Sequence, residues 1–348
     1  MPFDRTPSIS TYQTKQLSLV AEMNSRASTP TKDVDYLNCF PEQLKNKTTK
    51  QQDISIRKRS GCTTLAILAA GTIRGVYFWE DRAKAYVVIG DDIAIYSMPG
   101  GTLDTTLTSV FGTSTGEVGF TEFLYEDGTV KLVVTDGTTL STIDTANTVV
   151  AGADADMPVH LPQIVFLDGY LFMVKVDTAD LYNSNLNAPL AYTAGDFISS
   201  EMIPDRATGV DKLNNYIVLW GNNSIEYFWD AANASGSPLQ RNDTPIKLVG
   251  LVGGIAHHGN KIYFVGDVNH SEPSVFVLED FKITPLGNEQ IRRFLTGAVA
   301  SSIYANIIST DGHDFYVLHN GSYTFALELE TGLWTRWGFA QTASFDII

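Results

Sequence analysis

The chain has 348 residues, of which 44% are hydrophobic and 18% are charged. This composition is typical of a globular protein and excludes a disordered one. The formal net charge of −15 is unevenly spread: residues 1–60 carry 10 Lys and Arg against 6 Asp and Glu, and the remainder carries 14 against 33. An acidic body repels nucleic acid, which argues against a protein that grips DNA but is compatible with a channel through which DNA slides.

The first residues, MPFDRTPSIS, lack the basic and apolar regions of a secretory signal. No apolar stretch approaches the ~20 residues that a membrane-spanning helix needs. The two cysteines, Cys39 and Cys62, are too few for a disulfide framework, and we expect reduced thiols. These features predict a chain without membrane insertion that is made in a reducing cytoplasm.

Residues 1–60 are predicted to form an extended N-terminal arm that is basic and weakly structured. A short helix is arguable over PEQLKNK (41–47), where Pro41 suits a first helical turn. The arm also contains a basic stretch with one acid, Asp53. Its candidate partner-contact residues are Lys45, Lys47, Lys50, Arg57, Lys58 and Arg59. Without interleaved aromatics this stretch does not predict a nucleic-acid module. It indicates either a solvated tail or contact with an acidic partner surface.

A hairpin pattern recurs along the rest of the chain. In AYVVIGDDIAIYSM (85–98) two apolar runs flank a Gly-Asp-Asp turn, and DFYVLHNGSYTFALEL (314–329) has Asn-Gly, a strong hairpin signal. Similar hairpins occupy 130–144, 170–186, 215–230 and 261–280. Each is preceded by one more short apolar strand. The hairpins of successive units begin 45, 40, 45, 46 and 53 residues apart.

A period of roughly 40–50 residues with three to four strands predicts an all-β, six-bladed β-propeller over residues 61–348. A lone small sheet cannot bury both faces, whereas radial packing covers each face with the next blade. The predicted blades are 71–100, 119–146, 162–188, 209–248, 253–287 and 302–338. The closing blade is expected to borrow a strand from the N-terminal arm or the C-terminal end. One or two β-sandwiches with coincidental spacing are the alternative.

No motif for a catalytic nucleophile, a zinc site or a dinucleotide site stands out. The sequence therefore predicts a protein that is not an enzyme and has no catalytic, cofactor-binding or metal-binding residues. His257 and His258, with His270 and Glu272, could be imagined as metal ligands. Adjacent strand residues point to opposite faces, however, which favours one core-facing and one exposed imidazole. The segment DGHDF (311–315) is typical of a hairpin turn.

Aromatic residues could form sugar platforms beside paired carboxylates, as in glycoside-hydrolysing propellers. Packing between blades is the favoured interpretation of these rings, which include Trp79, Trp220, Trp229, Trp334 and Trp337. Most carboxylates stand at turns, where turn chemistry alone places them. A carbohydrate-binding or glycoside-hydrolysing propeller is nevertheless the second function hypothesis, and a scaffold for peptides is a third.

Three stretches of the chain carry a family resemblance. The first runs from LNCFPEQLKN through GTIRGVYFWEDRAKAYVVIGDDIAIYSM, and the second from IVLWGNNSIEYFWD to GNKIYFVGD. The third, SVFVLEDFKITPLGNEQIRRFL, is similar to a strand followed by a short helix. Together they cover much of Leu37–Leu295. They resemble the tail nozzle of short-tailed bacteriophages, also called the tail hub or packaged-DNA stabilisation protein.

This resemblance implies a homohexamer of six-bladed propellers around a central channel, docked below the adaptor ring of the head-to-tail connector. It implies a virion tail component that retains packaged DNA, opens at infection, and carries tail fibres or spikes. Family members are often longer, with extra platform segments, whereas this sequence ends close to its last predicted blade. That difference leaves the fibre contacts and the distal gate open.

Overall fold

The six repeated hairpins belong to six separate sheets. The computed structural model describes residues 36–45, 52–61, 65–268 and 271–338. Within these ranges the chain forms six four-stranded antiparallel sheets and one two-stranded hairpin. Each four-stranded sheet is built from strands that follow one another directly in the sequence. The fold is therefore the predicted six-bladed β-propeller, and the sandwich alternative is wrong.

The first three blades span residues 73–199. Blade 1 contains β3 (Ile73–Trp79), β4 (Lys84–Ile89), β5 (Asp92–Ser97) and β6 (Thr102–Leu107). Blade 2 contains β7 (Gly119–Leu124), β8 (Val130–Thr135), β9 (Leu140–Ile143) and β10 (Val149–Ala151). Blade 3 contains β11 (His160–Leu167), β12 (Tyr170–Lys175), β13 (Asp180–Asn185) and β14 (Ala188–Ser199). A short 3-10 turn, Glu80–Arg82, joins β3 to β4.

The other three blades span residues 207–337. Blade 4 contains β15 (Ala207–Leu213), β16 (Tyr216–Gly221), β17 (Ile225–Asp230) and β18 (Leu239–Lys247). Blade 5 contains β19 (Gly250–His258), β20 (Lys261–Asp267), β21 (Ser274–Glu279) and β22 (Lys282–Pro285). Blade 6 contains β23 (Tyr304–Thr310), β24 (His313–His319), β25 (Thr324–Glu328) and β26 (Trp334–Trp337). The fourth strand of blade 4, β18, thus follows directly on the predicted hairpin at residues 215–230.

One α-helix interrupts the β pattern in the described residues. Helix α1 (Glu289–Leu295) lies between blades 5 and 6, and a 3-10 turn, Ala300–Ser302, follows it. Its N-cap is Asn288, whose side-chain oxygen accepts a hydrogen bond from the Ile291 N–H at 3.0 Å. The short helix after SVFVLEDFKITPLG is thus confirmed. Among the described residues no helix reaches the length and hydropathy of a transmembrane span.

The hairpin before blade 1 pairs β1 (Cys39–Lys45) with β2 (Gln52–Lys58). The helix expected over residues 41–47 is wrong for its described part, because Pro41–Lys45 is strand and Pro41 lies opposite Ile56. Phe40 is 2% exposed and packs on blade 6, so burial outweighs the weak local preference for a helix. Proline is tolerated in a strand at the edge of a sheet.

The first strands of blades 2 and 3, of blades 3 and 4, and of blades 5 and 6 contact one another closely, as expected if the first strand of each blade lies nearest the axis. Two glycines allow this approach. A Cβ on Gly119 would meet the Pro162 carbonyl oxygen of blade 3 at 1.6 Å, and one on Gly250 would meet the Asn222 carbonyl oxygen at 1.8 Å. Any side chain at these positions would therefore force two neighbouring blades apart.

Five hydrophobic clusters fill the five successive junctions from blades 1–2 to blades 5–6. The apolar runs of the central strands arise because alternate residues face different junctions. In β4, for example, Tyr86 and Val88 belong to the cluster shared with blade 2, whereas Val87 and Ile89 face the other way. Both faces of the strand are buried, so its sequence shows no polar alternation.

The expected strand exchange at the closing blade is wrong in the described residues, since blade 6 is complete with its own four consecutive strands. The N-terminal segment instead adds to the edge of β26. Leu37 and Arg336 form a parallel bridge, the Asn38 N–H donates to the Arg336 carbonyl at 2.8 Å, and the Arg336 N–H donates to the Tyr36 carbonyl at 2.8 Å. The N-terminal segment is thus hydrogen-bonded to the edge of the last blade, although it replaces none of the strands of that blade.

Candidate functional site

The predicted basic stretch is divided along the N-terminal hairpin. Lys45 ends β1 opposite Gln52, whereas Lys58 lies opposite Cys39 at the other end of the hairpin. Six residue positions at about 3.3 Å each separate these two ends by roughly 20 Å. Lys47 and Lys50 lie outside the described residues. The backbone positions of Lys45 and Lys58 therefore lie at opposite ends of the hairpin.

Arg57, Lys58 and Arg59 differ in what they contact. The Arg57 guanidinium forms an ion pair with Glu42 across the hairpin, and Lys58 is exposed. Arg59 lies over the Trp337 ring at 4.9 Å and donates to the Asn38 side-chain oxygen at 3.2 Å. Arg59 therefore holds the hairpin on blade 6, and Lys58 is the cation best placed to meet another molecule.

Polar side chains of the first strands join neighbouring blades close to the axis. The Tyr77 hydroxyl of blade 1 donates to the Glu122 carboxylate of blade 2 at 2.7 Å. Burial, reinforced by this carboxylate, raises the pKa of Tyr77. Between blades 3 and 4, the Lys212 ammonium donates to the Phe166 carbonyl oxygen at 3.1 Å. These groups are used to hold blades together.

His257 and His258 point to opposite faces of β19, as predicted, but the expectation that one of them faces the core is wrong, because their side chains are 37% and 40% exposed. His257 approaches Asp211 of blade 4 at 3.7 Å, and the interaction with this carboxylate raises its pKa against the opposing effect of burial. His258 approaches Asp314 of blade 6 at 3.3 Å. Each imidazole thus pairs with a different blade, and the two cannot chelate one ion together. His270, the third residue of the imagined ligand set, lies outside the described residues.

The predicted hairpin turn between β23 and β24 is formed by Asp311 and Gly312, with Asp311 in the left-handed backbone region at φ 54°, and His313 already belongs to β24. His313 and Glu328 approach at 3.2 Å, and ligand-type atoms of His313, Glu328 and Glu330 lie within 4.8 Å of one another. The buried Glu328 carboxylate also accepts backbone N–H bonds from Glu330 at 3.2 Å and Thr331 at 2.6 Å. Its oxygens therefore already organise the turn between β25 and β26.

An open cleft of about 500 Å³ lies between the turns of blades 2 and 3. Leu124, Phe166 and Leu186 supply apolar lining, and Glu126 and Asp168 supply two carboxylates from different blades. Two aromatic rings line the cleft, Tyr125 and Phe166, and both are half-buried. Each packs edge-on against Phe123, with 5.0 Å between ring centroids, so both rings take part in the packing of blades 2 and 3.

Four of the five tryptophans are almost fully buried, as the packing interpretation predicts. Trp79, Trp220, Trp334 and Trp337 are at most 2% exposed, and Trp229 is 41% exposed. The Trp334 indole N–H donates to the Leu286 carbonyl oxygen at 2.8 Å, which ties β26 to the segment before α1. The fold and these contacts define an acidic structural β-propeller whose polar and aromatic groups serve the packing of its blades.

The chain belongs to the phage stabilisation family: the family model, described as bacteriophage P22 Gp10, β-propeller, matches residues 27–342. The predicted family is therefore confirmed. The protein is a bacteriophage structural protein with a role in DNA stabilisation, assembles with other phage components, and is part of the virion. A comparison with curated proteins gives no match.

Solved structures similar to the chain share little sequence with it. The virginiamycin B lyase of Staphylococcus aureus is 11% identical, with a TM-score of 0.48 over 78% of this chain and 85% of that one. A putative 6-phosphogluconolactonase of Bacteroides fragilis is 16% identical, with a TM-score of 0.46 over 75% and 82%. BBS1N in complex with ARL6DN is 12% identical, with a TM-score of 0.47 over 89% and 94%. Similarity at this level carries no argument about activity.

Proposed function

We propose that this chain is the nozzle, or hub, of a short phage tail. Six copies form a ring that docks below the head-to-tail adaptor and extends the DNA channel. The ring retains packaged DNA until infection and supports tail fibres or spikes. The subunits are made in the host cytoplasm, do not insert into a membrane, and act without catalysis, cofactor or metal. The observation that carries this proposal is the family match across residues 27–342.

The charge distribution supports the proposed conduit. Beyond residue 60 the chain has 14 Lys and Arg against 33 Asp and Glu. A wall of this charge repels the phosphate backbone and lets DNA move without sticking. The basic arm over residues 1–60, in contrast to the acidic propeller body over residues 61–348, is suited to an acidic surface on the adaptor. Lys58 is the described residue that we assign to this contact.

The oligomeric state tests the proposal directly. Purified protein is examined by light scattering and negative-stain imaging, alone and with the adaptor ring. We expect a six-fold ring under at least one of these conditions. A chain that stays monomeric at high concentration with the adaptor present, or that cleaves polysaccharide, would contradict the proposed function.

The arm contact is tested separately by charge reversal. Lys58→Glu is expected to weaken adaptor binding about tenfold and to reduce its dependence on salt, because one exposed attraction becomes a repulsion. Lys282→Glu is the matched control, since Lys282 is an exposed cation on β22 of blade 5 and does not belong to the N-terminal hairpin. Equal weakening by both variants would show that only net charge matters and would remove the assignment of Lys58.

A further inference from the structure

The junction between blades 6 and 1 is built differently from the other five. Each of the other junctions contains one cluster with buried side chains from both of its blades. At the sixth junction the described residues form two separate clusters, one on each blade. Each is completed by a side chain from the N-terminal segment, which we call the strap and define as residues 36–45, 52–61 and 65–68.

On blade 6, the strap covers the face that would otherwise meet blade 1. Phe40 is buried in the cluster that contains Phe315 and Val317, with 5.5 Å between the Phe40 and Phe315 ring centroids. The next strap residue beyond Arg59 is also anchored. The Ser60 N–H and hydroxyl donate to the Asp311 carboxylate at 3.0 and 2.5 Å. These hydrogen bonds lower the pKa of Asp311.

On blade 1, the strap covers the opposite side of the same junction. Ala66 and Leu68 pack against the cluster that contains Val87, Ala94 and Tyr96. A Cβ on Gly101, in the turn before β6, would come within 2.6 Å of Leu65, which shows how closely the strap follows this blade. The strap thus lies against both blades, each of which has its own contacts with it.

The axial part of this junction is open. On β3, Val76 and Phe78 face blade 6 and are 41% and 50% exposed, and on β23 Tyr304 is 42% exposed. The other side of β3 is closed, because Tyr77 stacks on Phe120 of blade 2 with 5.5 Å between ring centroids. One strand therefore has a packed face toward blade 2 and an uncovered apolar face toward blade 6.

We propose that this sixth junction is a seam that the strap holds shut, and that the propeller opens there before it opens elsewhere. Buried apolar contacts between blades resist their separation. At the seam, blades 6 and 1 bury their apolar side chains against the strap and not against each other. Displacement of the strap exposes both clusters at once and frees blade 6 from blade 1. The five other junctions keep their own buried clusters, and the strap touches one of these, between blades 5 and 6, through the partly buried Tyr36. This inference rests on the fold and does not depend on the proposed tail function.

Hydrogen exchange measured by mass spectrometry on the full chain tests the seam. The variant Phe40→Ala/Arg59→Ala removes the main anchors on blade 6. We expect amides of β3, β4, β23 and β24 to exchange about tenfold faster or more, with strands β11, β15 and β16 unchanged. The matched control is Phe294→Ala, which removes a partly buried aromatic ring that packs on Phe325 at 4.6 Å between blades 5 and 6. It should leave exchange in β3 unchanged.

A cross-link supplies the opposite perturbation and decides the question if the double variant does not fold. Ser60→Cys and Asp311→Cys are introduced after Cys39→Ser and Cys62→Ser. The oxidised protein should exchange more slowly than its reduced form in β3, β4, β23 and β24, with strands β11, β15 and β16 unchanged. Uniform acceleration over all six blades in the double variant, no acceleration at the seam, or no effect of the cross-link on the seam would each overturn the inference.

Discussion

The carboxylate of Asp136 ties the turn after β8 to the crossing between blades 1 and 2. One oxygen accepts the Thr138 and Thr139 N–H groups at 2.9 and 2.7 Å. The other accepts the Thr113 N–H at 3.0 Å and the Thr113 hydroxyl at 2.7 Å. Thr113 in turn receives two hydrogen bonds from the buried Arg74 guanidinium, through its carbonyl at 2.7 Å and its hydroxyl at 2.9 Å. Asp136→Asn keeps the shape of the side chain and removes its charge.

The pKa of Asp136 sets the size of the expected effect. Burial opposes ionisation, but the hydrogen bonds from Thr113, Thr139 and Thr138 outweigh it and lower the pKa from 3.8 to about 2. At 1.36 kcal/mol per unit, a shift of nearly two units corresponds to at most about 2.5 kcal/mol. Because the carboxylate is only half-buried, solvent screening reduces the expected loss to about 1 kcal/mol.

The same shift fixes the pH dependence. The folded pKa lies below the unfolded one, so the unfolded chain binds more protons between the two values. The stabilisation that the ionised Asp136 carboxylate gives to the folded state is fully present above about pH 4 and disappears as the pH falls toward 2. Urea unfolding followed by tryptophan fluorescence at pH 7, 5, 4 and 3 should therefore show a constant difference between wild type and Asp136→Asn down to pH 4. The difference should narrow below that value.

Two results would refute this reasoning: equal free energies of unfolding at pH 7, or a difference that stays constant at every pH. Asp127→Asn is the control. Asp127 makes similar turn bonds to the Thr129 N–H and hydroxyl, at 2.9 and 2.6 Å, but it is exposed. It should destabilise the fold less than Asp136→Asn does.

Two further substitutions probe contacts between blades in the same urea assay. Gly119→Ala should cost about 3 kcal/mol or more, because the new Cβ would lie 1.6 Å from the Pro162 carbonyl oxygen. Gly61→Ala, which meets no atom within 4 Å, should be nearly neutral, and similar losses for both would disprove the steric argument. Tyr77→Phe should cost about 1–2 kcal/mol by removing the 2.7 Å bond to Glu122. An unchanged midpoint would show that water replaces this bond.

The repeated blades were predictable because their signals are local. Each central hairpin has two apolar runs and a turn built from residues such as Gly90 or Gly312, which adopt φ values of 62° and 78°. The strand at Cys39–Lys45 was missed because Pro-Glu-Gln-Leu-Lys has some helical character, and no local feature shows that Phe40 is buried on blade 6. The side chain that decides the conformation there packs against Phe315, which is remote in sequence.

The environments of the candidate contact residues also depend on contacts with residues remote in sequence, which local patterns do not show. Their sequence spacing suggested one basic stretch, yet Arg59 is held by Trp337 while Lys58, its neighbour, is exposed. Alternation along a strand separates adjacent residues, and the register with β1 decides which of them faces the blade.

The sequence by itself determined that this is an acidic all-β chain of six repeated units, because residue type, turn chemistry and period act over short distances. Only the tertiary structure decided how blade 6 and blade 1 are joined to close the propeller. Ser60 meets Asp311, and Phe40 and Leu68 cover different blades, through contacts between segments whose spacing follows no repeat. Such contacts depend on where the completed blades lie in space, which no local pattern of residues encodes.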